Sequence, residues 1–137
     1  MAHAQKTHVT GWVGWIGAAS FMMIFIGILH IIYGFAALYR YSWYVSTLST
    51  SYLLDLTSWG WALMLGGMIM ILTGILLFSG NLFGRIMGGI IVGASLIANA
   101  SMLAVAPIWS AFAIIVNFFI LYAIIAHGDE MKHLDEM

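Results

Sequence analysis

Four long apolar runs dominate this chain, at 12–39, 59–79, 82–104 and 107–127, and the charged residues stay out of their centres. A helix needs roughly 20 apolar residues to cross the ~30 Å hydrocarbon core of a bilayer. Each run meets that length. None shows the polar face at helical period that a helix on a soluble core would carry. The pattern predicts an all-α protein, an integral membrane four-helix bundle running up-down antiparallel. It occupies 1–137 as a single four-pass domain with a polar tail at 128–137. The first run has 28 residues, ~42 Å as a helix, so it should tilt or project beyond the membrane.

The connections are unequal. Gly80-Asn81 joins the second and third runs and suits a tight turn. Val105-Ala106-Pro107 joins the third and fourth, with Pro107 suited to the first helical position, where its missing N–H costs nothing. Short connections make helices 2, 3 and 4 antiparallel neighbours. The first connection, 40–58, is long and rich in Tyr, Trp, Ser and Thr. Tyr44, Leu48, Tyr52 and Leu56 recur every four residues there. That spacing fits either an amphipathic segment on the membrane surface or an irregular aromatic loop on the helix ends. Trp12, Trp15, Tyr39, Tyr41, Trp43, Tyr44, Trp59, Trp61 and Trp109 flank the runs where interfacial aromatic belts sit.

Composition narrows the class. Charged residues are 7% of the chain, against about 25% in soluble domains. The net charge of −1 suggests no nucleic-acid partner. The absence of Cys removes disulfides, thiolate catalysis and cysteine metal sites. The N-terminal segment lacks a signal-peptide cleavage pattern, so the first run is expected to stay in the mature protein. With both termini inside, Lys6, Arg85 and Lys132 are cytoplasmic and only Arg40 is outside, which is the orientation the positive-inside rule favours. Arg40 and Asp55 bracket the outer connection as a possible surface pair. The tail, with Lys132 and Glu136 at i,i+4 spacing, reads as short and solvated.

Small residues recur at seven-residue spacing: Ser20, Gly27 and Gly34 in helix 1, Gly60, Gly67 and Gly74 in helix 2, and Gly88 with Ser95 in helix 3. Helix 3 adds Gly84-x-x-x-Gly88 and Gly89-x-x-x-Gly93. Lipid tails are as apolar as Leu, so membrane helices associate where small residues let backbones approach. A seven-residue period keeps one seam facing a partner.

Few residues offer chemistry. Counted from the helix ends, His30, Ser95, Asn99 and Asn117 fall in one half of the membrane. His30 and Asn117 lie at about the same depth, ~13–15 Å from the helix ends. An intramembrane ionisable residue is a functional hypothesis, here a proton, quinone or lipid site. Interhelical hydrogen bonding is the structural alternative. Haem needs axial ligands at one depth, and His127 ends helix 4 at the opposite face from His30. A serine protease site fails on Gly93-Ala94-Ser95-Leu96-Ile97, which has no glycine two residues after the serine, and no oxyanion donors can be named.

Several short motifs carry a resemblance. They are Gly11-Trp12-Val13-Gly14-Trp15, Asp55-Leu56-Thr57-Ser58-Trp59-Gly60-Trp61, Gly84-Arg85, Ile97-Ala98-Asn99, Pro107-Ile108-Trp109, and Tyr122-Ala123 with His127-Gly128. With these, nearly the whole chain resembles a family of small four-helix actinobacterial membrane proteins known only as a domain of unknown function. The resemblance implies a bacterial cytoplasmic membrane and the four-helix topology, and no catalytic residue. The expectation is a non-enzymatic multi-pass protein without cofactor or metal. It would act through helix–helix contacts, with itself or other membrane proteins, in the lipid bilayer. A small transporter or ligand-binding module built on His30, Asn99 and Asn117 is the alternative.

Overall fold

A computed structural model describes the backbone of residues 9–44 and 56–136, with side chains described at 9–39 and 57–134. Four α-helices follow in order: α1 Trp12–Tyr44, α2 Leu56–Phe78, α3 Leu82–Ser101 and α4 Pro107–His127. A 3₁₀ helix, Gly128–Glu136, follows directly. All four α-helices contain stretches long and apolar enough to cross a membrane. The all-α, four-helix class is as the apolar pattern predicts. The boundaries differ most in three places. α1 runs on to Tyr44 and so reaches ~50 Å, α2 starts at Leu56, and α3 stops at Ser101 rather than 104. Pro107 sets the break just before α4. The residue before a proline is excluded from the α region, and Ala106 sits at φ −136°, ψ 70°. The chain turns through Met102–Val105 to reach it, with Val105 and Ala106 N–H groups donating to the Met102 carbonyl at 3.0 and 2.9 Å.

The turn between α2 and α3 is built from its two predicted residues. Gly80 takes φ +68°, a conformation glycine enters without steric cost. Its N–H donates to Leu77 O and that of Asn81 to Leu76 O, each at 3.0 Å. This paired pattern closes a helix C-terminus in the Schellman manner. Asn81 then caps α3, its side-chain oxygen accepting from the Phe83 N–H at 2.8 Å.

The chain divides into two compact units, Met22–Leu72 and the remainder, Met1–Phe21 with Thr73–Met137. In the first, α1 and α2 run antiparallel along the glycine seam. A Cβ on Gly27 would stand 2.6 Å from the Gly67 carbonyl oxygen, and one on Gly34 would stand 2.6 Å from that of Gly60. Real Cβ atoms do not approach so closely, so the two backbones touch where the side chains are missing.

The second unit gathers segments of all four helices. Ile16, Ala19, Leu77, Ala123, Ile124 and Met131 form its core, each at most 3% exposed. Ser20 and Gly74, the remaining members of the α1 and α2 series, are buried here. The start of α1 runs against the end of α4: Trp15 stacks on Phe119 at 5.6 Å, and Trp12 meets Tyr122 edge-on at 4.9 Å. Gly84 abuts the Leu76–Leu77 backbone, leaving no room for a Cβ. Around both units the large apolar side chains face outward, among them Phe25, Ile97, Ile108 and Ile125. A water-soluble monomer does not expose apolar surface on that scale.

Candidate functional site

Two polar groupings lie in the second unit. The inner one joins α3 to α4. The Asn99 amide donates to its own helix, to Ser95 O at 2.8 Å and Ser95 Oγ at 3.4 Å. Asn117 reaches across from α4 and donates to the same Ser95 Oγ at 3.0 Å. All three residues are partly buried. The four-residue spacing from Ser95 to Asn99 puts them one turn apart on one face of α3, and antiparallel packing brings Asn117 level with them. His30 belongs to the other unit. There its Cβ lies 3.1 Å from where a Gly67 side chain would begin. Ser95, Asn99 and Asn117 are therefore brought together, while His30 is placed on the α1–α2 seam. The trio holds amides and a hydroxyl only. None of these ionises near neutral pH, and the arrangement crosslinks two helices.

The outer grouping is at the opposite end of α3, where α4 finishes. Arg85, one turn into α3, reaches the last carbonyls of α4. Its Nε and Nη2 donate to Ile124 O and Ile125 O at 3.4 Å each, and its Nη1 donates to the Asp129 carboxylate. A cation at a helix C-terminus also meets the negative end of the helix dipole. Gly128 makes the placement possible, because a Cβ there would run into the Arg85 side chain. Lys132 Nζ lies 3.8 Å from the same Asp129 carboxylate. Beside this, His127 Nδ1 and Glu130 Oε1 are 2.6 Å apart. The other oxygen of Glu130 accepts from Thr10 N and Thr10 Oγ1 at 2.7 and 2.8 Å. Trp12 covers the imidazole of His127, ring centres 5.6 Å apart and nearly parallel.

This corrects the reading of the tail as a solvated extension. The acidic pair Asp129 and Glu130 finds a cation in α3 and a threonine at the head of α1, and Met131 beside them is buried. A Cβ on Gly80 would stand 2.8 Å from Lys132 N, so the 3₁₀ helix also packs on the α2–α3 turn. Nothing at 128–137 alone announces this, since the partners are remote in sequence. The available signal was the glycine directly after His127, next to a helix end and matched by an arginine one turn into α3.

A shallow apolar groove of ≈ 400 Å³ runs between α3 and α4 beside Arg85, lined by Leu82, Ile86, Ile90, Leu121 and Ile125 among others. Gly89 floors it, with only Leu121 Cδ1, at 3.9 Å, near the place of a Cβ. Gly93, expected to pack in series with Gly89, has open space there. The Gly89–Gly93 pair therefore makes no close backbone contact among the described residues. Gly84 is tightly packed and Gly88 is buried. Lys6, His3 and His8, and the stretch 45–55 with Asp55, lie outside the described residues, as do the side chains of Arg40, Tyr41, Trp43 and Tyr44.

Four membrane-length helices, held by a glycine seam and an interhelical amide–hydroxyl cluster, define a polytopic helical membrane protein. Residues 15–129 match the family described as domain of unknown function (DUF7144), and the chain belongs to that family. The matched span takes in the Ser95 cluster and the Arg85–Asp129 pair, while Thr10, Trp12 and Glu130 fall outside it. No match is found among curated proteins or among solved structures.

Proposed function

We propose that this is a non-enzymatic membrane component that acts through helix–helix contacts, as a homo-oligomer or as a small accessory subunit of a larger bacterial membrane complex. The observation that carries this reading is the mutual hydrogen bonding within the Ser95–Asn99–Asn117 cluster. A transport or ligand site presents unpaired polar groups to a water path, and here the amide donors are turned onto a neighbouring hydroxyl and carbonyl. A second feature agrees. Gly27, Gly34, Gly60 and Gly67 are closed by contacts within the chain, whereas Gly14, Gly17, Gly66 and Gly93 have open space at the Cβ position. Those small positions leave backbone accessible to another helix.

Purification in mild detergent from native membranes tests the proposal. The expected result is a particle of defined mass containing several copies of this chain, or this chain with a partner in fixed ratio. A monodisperse single copy that retains no protein partner would overturn it. The transport alternative predicts instead that Asn117→Ala and Ser95→Ala abolish flux in reconstituted vesicles with the fold intact.

A further inference from the structure

We infer that the groove between α3 and α4 is a binding site for one anionic phospholipid, with an acyl chain along the groove and the phosphate at Arg85. The lining supplies the first half. Leu82, Ile86, Ile90, Leu121 and Ile125 are aliphatic, and Arg85 is the polar side chain among them. From Leu82 to Ile90 the groove follows α3 for ~12 Å, close to the ~15 Å depth of one hydrocarbon leaflet. Leu82, Ile86, Ile90 and Ile125 are each more than half exposed, so the groove opens sideways to where lipid chains lie. Gly89 provides its floor, since any side chain there would project into the space the chain occupies.

Charge supplies the second half. The Arg85 side chain is only 15% exposed and is fixed by α4 and Asp129. Three of its five N–H groups are assigned to those partners, which leaves donors for a phosphate oxygen. Lys132 shares the same Asp129 carboxylate. Arg85 and Lys132 both face the Asp129 carboxylate at the groove's end, while Glu130, still charged, is turned to Thr10 and His127. A zwitterionic headgroup would add a third cation to this spot, so an anionic headgroup is preferred.

The experiment uses the full chain, delipidated in mild detergent and titrated separately with phosphatidylglycerol and phosphatidylcholine of identical acyl chains. Bound lipid is counted by native mass spectrometry. Phosphatidylglycerol should be retained at one per chain with a preference of roughly fivefold or more, the effect of one cationic side chain near an anionic lipid. Gly89→Leu should remove that binding while the melting temperature holds or rises, because leucine is the better helix former and the site has room. Ile90→Trp, at an exposed lining position, is the second obstruction. Lys132→Gln should reduce the headgroup preference and leave the fold intact. Equal retention of the two lipids by the unmodified protein overturns the assignment. So does unchanged phosphatidylglycerol binding in a folded Gly89→Leu variant or, should that variant not fold, in Ile90→Trp.

Discussion

Arg85 shows how a single charge is accommodated one turn inside a membrane helix. Its guanidinium donates to carbonyls at the end of α4, and Asp129 answers its charge. The whole arrangement depends on the missing side chain of Gly128. Gly128→Ala should push the arginine off the helix end and cost about 1–3 kcal/mol, the usual range for overpacking. Reversible unfolding in mixed detergent micelles measures this, and stability equal to the unmodified protein would show that Arg85 re-seats freely. The Ser95 hydroxyl holds a comparable position between Asn99 and Asn117. Ser95→Ala removes the acceptor that Asn117 uses, at a cost of about 0.6–1.7 kcal/mol for such membrane hydrogen bonds. Asn117→Leu should be milder, because the Ser95 hydroxyl keeps Asn99 as a donor at 3.4 Å and no amide is left without its acceptor. The reverse order would mean that Asn117 has a second and stronger role. Ser110 is the contrasting case. Its hydroxyl is buried in the first turn of α4 with no hydrogen-bond partner among the described residues. Ser110→Ala should therefore leave stability unchanged or raise it by up to about 1 kcal/mol in the same assay.

At the level of elements, two kinds of glycine separate. Gly67 lies against the backbone of α1, its Cβ position 2.5 Å from the Gly27 carbonyl oxygen, so Gly67→Leu must force α1 and α2 apart. Gly93 has open space, so Gly93→Leu should leave the unfolding midpoint within about 0.5 kcal/mol of wild type. If α3 meets a second protein there, the same change should still lower the mass of the purified particle. Equal destabilisation by both would contradict the difference in their surroundings. The seven-residue spacing made the seam legible because a repeat near the helical period keeps one face in register. It did not reveal which helix would meet which, since spacing carries no partner. The depth of His30 was legible by counting from a helix end, but counting fixes height along the axis and leaves rotation about it free. Within its own unit His30 lies beside Gly67. The tail was illegible for a different reason: its structure is dictated by Arg85 and Thr10, far away in sequence.

For the molecule as a whole, orientation is the property from which localisation of every site follows. The ends of α1 and α4 and the α2–α3 turn share Arg85, Asp129, Glu130 and Lys132. In the orientation that the positive-inside rule favours, that end is cytoplasmic. Reporter fusions after residue 137 should therefore read cytoplasmic, and insertions within 45–54 should read external; either result reversed inverts the topology. The contact of Glu130 with Thr10 has a consequence for how the chain is made. Residues 120 apart meet at one spot, so the head of α1 and the 3₁₀ helix after α4 are neighbours in the finished protein. During synthesis the head of α1 emerges first and waits through the insertion of three more helices before its partner exists. The clasp thus forms only after α4 is complete, and a chain stopped at residue 127 should insert all four helices yet leave Thr10 open to protease.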